Sequence, residues 1–148
     1  MKVLKVEFSR DIVIKPIEDR WYEIQGAFSI DLFTDSGHIR VNVDNGFLYD
    51  SRSGGPMIDV LGIAPNLGTQ DELKCWATHD IFAYDICLSY DETNELLYDM
   101  LRKAGYTWFR ARMVYTAVNF SDSWFGRPIP GDREWVNVDK IHVRHFDK

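Results

Sequence analysis

Cysteine is scarce in this chain: Cys75 and Cys87 are the only two in 148 residues. A domain this short that relied on a disulfide framework would carry more, and neither residue has a second Cys or a His at zinc-finger spacing. Both lie among apolar neighbours in segments that read as helix, so buried free thiols are expected. Long apolar runs are missing too. No window approaches the roughly 18 apolar residues that a bilayer-spanning helix needs, so no membrane partner is expected. The first ten residues alternate Leu4, Val6 and Phe8 with Lys5 and Glu7, where an export signal needs a continuous apolar stretch. Secretion by a signal peptide is therefore not expected. Positive charge is also in deficit, with 17 Lys and Arg against 23 Asp and Glu. Because non-specific nucleic-acid affinity comes from clustered cations, no nucleic-acid partner is expected. There are no internal repeats and no low-complexity tracts.

What remains is the composition of an ordinary globular domain: 45% hydrophobic and 27% charged residues, with five Trp, seven Tyr and nine Phe, too apolar for a disordered chain. Residues 1–148 are expected to form a single domain, since this length suits one core. The first half reads as short strands of period two: Val13 to Ile17, then Tyr22 and Ile24, then Phe28, Ile30 and Leu32, with Pro16 marking an edge or strand end. The clearest strand sets Ile39, Val41 and Val43 against Arg40, Asn42 and Asp44, and runs into Asn45-Gly46 before Phe47-Leu48-Tyr49. Asn-Gly tolerates the positive φ of a type I′ turn, which predicts a β-hairpin here. From Asp50 to Gly68 the alternation stops, and glycines and prolines punctuate a long connection expected to pack across the core.

Helices follow. Thr69 with Glu72, and Ser89 with Glu92, have the spacing of capping boxes. The first predicted helix carries Leu73, Trp76, Ala77, Ile81, Tyr84 and Leu88 on one stripe; the second carries Leu97, Met100, Leu101 and Ala104 before Gly105. The short link between them predicts an antiparallel pair. A third, from Trp108 to about Val118, is apolar on most sides apart from Arg110 and Arg112 and is expected between layers. The last segment, Trp135 to Phe146, alternates again and should return to the sheet, with His142 and His145 exposed. The expected class is α+β: antiparallel strands in the N-terminal half packed with a helical hairpin and a third helix.

One polar constellation stands out. Asp80, seven residues after Leu73 and four before Tyr84, falls on the apolar stripe of its helix, with His79 on the flank beside Cys75 and Ala83. A buried carboxylate has to be hydrogen-bonded, paired or metal-bound. Asn94 takes the matching inward position on the next helix, so Asp80 and Asn94 can meet as a structural polar network. The hairpin ends in Asp50, followed by Ser51, Arg52, Ser53 and Gly54-Gly55. Asp50, His79 and Asp80 supply parts of a cation site or a hydrolytic site, and Ser53 with His79 could act as nucleophile and base. Against this, Ser53 beside glycines is ordinary turn chemistry and no nucleophile-elbow motif surrounds it. Hard divalent ions want six or more oxygen ligands and zinc wants three or four close donors, so neither metal nor cofactor is expected. On the outer strip, Trp108, Trp124 and Phe125 beside Arg110, Arg112 and Arg127 have interface composition. The row Asp91, Glu95 and Asp99 is expected to be solvated.

The run Gly46-Phe47-Leu48-Tyr49-Asp50-Ser51-Arg52-Ser53, the pair His79-Asp80 inside an apolar helix, the helix beginning near Asp91, and Tyr115-Thr116-Ala117-Val118 resemble the family of the domain of unknown function thirteen fifty-three. That family is found in bacteriophages and prophages. The likeness covers about residues 39 to 126. The chain departs from the family pattern where Asn94 stands for an Asp, which removes one anionic ligand, and where Gly54-Gly55-Pro56 displaces a proline. The resemblance implies a phage context rather than a reaction: a non-enzymatic virion component or accessory factor, located in the host cytoplasm or the virion. Its expected partner is a phage or host protein, or a second copy of the chain. A hydrolase acting on the cell envelope or an ester bond is the alternative.

Overall fold

The computed structural model describes residues 1–18, 21–50, 69–83, 87–125 and 139–146. Seven strands and three helices are described: β1 Val3–Phe8, β2 Val13–Glu18, β3 Trp21–Gln25, β4 Phe28–Thr34, β5 Gly37–Val43, β6 Leu48–Asp50, α1 Gln70–Phe82, α2 Tyr90–Lys103, α3 Trp108–Phe125 and β7 Ile141–Phe146. The fold is α+β. An antiparallel four-stranded sheet runs β1-β4-β5-β7 and a three-stranded one β2-β3-β6. The C-terminal strand joins the first sheet by pairing antiparallel with β5, from His38↔Phe146 to Val43↔Ile141.

The strands owe their faces to the period-two pattern. In β4, Phe28, Ile30, Leu32 and Thr34 are buried, while Ser29, Asp31 and Phe33 alternate outward; β5 buries Ile39, Val41 and Val43. Asp35 and Ser36 join these two strands as a tight hairpin. The hairpin expected at Asn45-Gly46 does not form between β5 and β6. Gly46 does take a positive φ of 91°, but the turn passes the chain from one sheet to the other. The segment after it pairs with β3: Ile24 N–H donates to Phe47 C=O and Gly46 N–H to Ile24 C=O. The turn chemistry was legible; the partner strand is set by burial of Phe47 against Ile24 in the shared core. A second crossing between the sheets occurs at Gly26 (φ 81°), where a Cβ would run into the Arg10 guanidinium. Arg10 holds that corner through the carbonyls of Gln25 and Ala27, at 2.6 and 2.8 Å.

Two apolar clusters share α1. Ala77, Ile81 and Phe82 join Ile12 and the strand residues Ile24, Ile30 and Val41 in one cluster. Cys75 and Trp76 join Leu97 and Leu101 of α2 and Ala111, Val114 and Val118 of α3 in the other. The helix packed between layers is therefore α1. The third helix, expected there, is peripheral: one face packs on α2, and Trp108, Phe109 and Phe120 are exposed on the other. Thr69 and Ser89 cap α1 and α2, and only Ser89 completes the reciprocal capping box with Glu92. Leu88 lies beyond the end of α1, after its C-cap at Ala83, and Tyr84 is outside the described residues. The amide of Gln70 pins the start of α1 to the strand entry, accepting from Ile12 N–H (2.9 Å) and donating to Ile12 C=O (2.7 Å).

Candidate functional site

Because α1 packs on two sides, two of its faces are buried. One, carrying Ala77, Ile81 and Phe82, looks to the sheets; the other, carrying Cys75, Trp76 and His79, looks to α2 and α3. The single stripe drawn from Leu73 to Tyr84 merges these faces, and so it places Asp80 inward and His79 on the flank. The structure reverses them. His79 is 4% exposed, whereas Asp80 keeps 19% of its side-chain surface.

The partner of Asn94 follows from this. His79 Nε2 donates to Asn94 Oδ1 at 2.8 Å, and Asn94 Nδ2 donates to Asn119 Oδ1 at 2.7 Å. One side chain from each helix thus forms a linear relay, with Asn94 fully buried at its centre. The relay fixes the imidazole with its proton on Nε2, since a carboxamide oxygen only accepts. Nδ1 is buried with no hydrogen-bond partner among the described residues. The nearest carboxylate oxygen among the described residues is Asp80 Oδ1, at 4.0 Å, beyond hydrogen-bond range. Asn119 was not singled out in the sequence; its only signal is a lone amide between Val118 and Phe120 in an otherwise apolar stretch.

The other proposed site residues are placed less completely. Asp50 closes β6, a strand that touches α1, but its side chain is not among those described. Ser53 lies outside the described residues, as does the long connection it belongs to. The structure therefore brings together His79 and Asp80 as neighbours, and His79 and Asn94 as a bonded pair. Among the described residues, no group of three or more His, Cys, Asp or Glu is arranged to hold a metal ion. The thiols are free, Cys75 buried and Cys87 half-buried in a bend after α1 rather than in a helix. Burial foremost, with nearby carboxylates adding to it, pushes both up to about 12. Neither is poised as a nucleophile.

A second polar cluster, missed from sequence, occupies the outer face of the four-stranded sheet. Asp31 Oδ1 accepts from His38 Nε2 at 2.6 Å and from Arg40 Nε at 2.8 Å. The imidazole is stacked between Phe33 and Phe146, with centroids 4.6 and 4.7 Å away. Burial raises the Asp31 carboxyl, but the bonds and charges of Arg40 and His38 outweigh it and hold the group below the usual aspartate value. The cross-strand register Phe33↔His38↔Phe146 creates the stack, and that register was not readable before the strand order was known.

On α3, Trp108 is 58% and Phe109 67% exposed. The Arg110 guanidinium sits 4.2 Å from the Tyr106 ring, and that of Arg112 lies 5.2 Å from Tyr115 and 5.8 Å from Tyr98. The side chains of Trp124 and Phe125 are not among those described, and Arg127 lies outside the described residues. Asp91, Glu95 and Asp99 are exposed on α2, and His142 and His145 are exposed on β7.

The fold and this relay define an α+β protein whose helices are bridged by buried side-chain hydrogen bonds. No family model, no curated protein and no solved structure matches the chain. No helix among the described residues is long and apolar enough to cross a membrane.

Proposed function

We propose that this chain is a non-enzymatic protein-binding factor of a bacteriophage: a small virion component, or an accessory protein that docks on a phage or host protein in the host cytoplasm. The observation that carries this reading is the first turn of α3, where Trp108 and Phe109 are mostly exposed beside two arginines held in place by tyrosine rings. Large aromatics and arginines are the side chains that dominate binding hot spots, and fixing the guanidinium groups in advance lowers the entropy lost on docking. The phage context rests on the family resemblance alone. An acidic surface is the complementary partner; in a second copy the row Asp91, Glu95 and Asp99 meets that description.

A photo-crosslinking residue at position 109 during phage growth should give one discrete adduct, weakened by Arg110→Glu with Arg112→Glu. Mass spectrometry of purified particles separates a virion component from an accessory factor. A chain that is absent from particles and gives no adduct at position 109 sinks the reading.

One specific feature supports a hydrolase as a second reading: His79 Nδ1, beside Asp80, has no hydrogen-bond partner among the described residues. His79→Gln keeps a side-chain N–H donor at that position. It should abolish hydrolysis of peptidoglycan or ester substrates if this reading holds, and leave the crosslink at position 109 intact.

A further inference from the structure

β1 is an outer strand of the four-stranded sheet. Ser9 N–H donates to Ser29 C=O at 3.0 Å, so residues 9 and 29 form a hydrogen-bonded pair. Such pairs alternate along an antiparallel ladder, and the register continues Phe8↔Ile30, Glu7↔Asp31, Val6↔Leu32, Lys5↔Phe33. Glu7 and Lys5 therefore use their backbone groups on β4, whereas Val6 and Phe8 turn theirs toward the open edge.

A groove of about 540 Å³ lies at that edge, within the range of roughly 300–1,000 Å³ usual for ligand sites. Val6 and Phe8 line it from the core side of β1 and Lys5 from the outer face. Both faces of one strand reach the same groove only where it follows the strand's edge. The helices contribute an apolar strip of Leu96 and Met100 of α2 and Cys75 of α1. The charged lining has Lys5, Lys74, Arg102 and Lys103 against Asp71 and Asp99, a cationic surplus on a chain of net charge −6. Lys5 pairs with Glu7 and Lys74 with Asp11. Arg102 gives one Nη1 bond to the Tyr106 carbonyl, and Lys103 has no carboxylate partner among the described residues, so the C-terminal end of α2 carries the available charge. The register breaks between Val3 and Lys5, leaving Leu4 55% exposed and limiting regular pairing to Lys5 through Phe8.

We propose that this groove takes an extended peptide segment, apolar at alternate positions and acidic at the end nearer the C-terminus of α2, as a fifth strand on β1. Its backbone bonds the N–H and C=O groups of Val6 and Phe8 that β4 does not use, its alternate apolar side chains pack on Leu96 and Met100, and its terminal carboxylates meet Lys103 and Arg102 past the paired stretch. This is strand addition, in which the main chain supplies affinity and alternate side chains supply specificity. The inference deepens the protein-binding reading and rests on it for the source of the peptide, but it uses a surface separate from α3.

The test is fluorescence anisotropy with a labelled ten-residue peptide that alternates Val and Thr over eight residues and ends in two Glu. Saturable binding is expected. N-methylation of one alternate set of peptide amides should weaken it about tenfold or more, and of the other set little, because only one set faces β1. Val6→Pro removes an N–H that β4 does not use and should cost a similar factor while circular dichroism is unchanged. Arg102→Glu with Lys103→Glu should lower affinity several-fold, and Trp108→Ala with Arg110→Glu should leave it unaltered. That last pair separates failure here from failure of the α3 reading. Absence of binding, equal loss from both methylated peptides, or equal affinity for the peptide with Lys in place of both Glu would overturn the proposal. So would a concentration-dependent dimer of the wild type that Val6→Pro dissolves, which would put a second copy's β1 in the groove.

Discussion

The two sides of α1 are stabilised differently. Toward the sheets it meets a cluster of Ile12, Ile24, Ile30, Leu32, Val41 and Phe47, all essentially inaccessible, where non-directional burial supplies the free energy. Toward α2 and α3 it meets a smaller cluster and, beside it, the relay His79–Asn94–Asn119. Hydrogen bonds are directional, so the helical side is fixed in register by groups that have one good arrangement. It also leaves Trp76 Nε1 and His79 Nδ1 buried with no hydrogen-bond partner among the described residues, a desolvation cost absent from the sheet residues named above. An apolar cluster tolerates repacking; a polar relay tolerates loss of a member poorly.

The largest test of that contrast is truncation on each side. Phe47→Ala and Trp76→Ala should each cost about 3–5 kcal/mol, read as a fall in the urea midpoint. Trp76→Phe should cost much less than Trp76→Ala, since along with part of the ring it discards an N–H that has no partner among the described residues. A Trp76→Ala protein near wild-type stability would mean that the helical side is not packed as described.

Next comes the relay itself. Asn94→Ala removes the acceptor of His79 Nε2–H and a donor to Asn119 Oδ1 and should cost about 1–3 kcal/mol. The doubly substituted His79→Leu with Asn94→Leu should lose less than the sum of the two single changes in a double-mutant cycle. Asp80→Ala, on the more exposed position, should cost less than Asn94→Ala; the opposite order would restore Asp80 as the buried partner.

The helix starts give a smaller difference. Ser89→Ala should cost about 1 kcal/mol, because Ser89 Oγ accepts from Glu92 N–H at 3.1 Å while Glu92 Oε1 accepts from Ser89 N–H at 2.9 Å. Thr69→Ala should cost less, as its single cap bond is 3.4 Å long. Thermal melts of the two variants check the ranking.

The smallest effect belongs to the outer sheet face and appears only in acid. The Asp31 carboxyl is held below its ordinary value in the folded state, so its contribution is complete above the unfolded value of about 3.9 and fades as pH falls through the folded one. The stability gap between wild type and Asp31→Asn should therefore be constant near neutrality and close below about pH 4. A gap that stays open down to pH 2 would show that the Asp31 cluster does not act through charge.

Much of the architecture was legible because local rules agree with the global fold. Alternation in Phe28 to Thr34 and Ile39 to Val43 gave strands, and the Thr69 and Ser89 caps gave two helix starts. The alternation of Ile141 and Val143 gave the returning strand. Asn45-Gly46 gave a real turn, yet not its pairing partner. The polar residues fared less well. His79 and Asn94 were both picked out, but His79 was placed on the wrong face and Asn119 was missed.

The sequence by itself determined which segments are strand or helix, because periods of 2 and 3.6 residues and capping side chains act over a few positions. Only the tertiary structure decided that β5 and β6 belong to different sheets, that α1 rather than α3 lies between layers, and that His79 rather than Asp80 meets Asn94. A helical period identifies an apolar face when a helix has one. When packing covers two faces, as it does for α1, the period no longer says which polar side chain points inward, and only the positions of the neighbouring elements do.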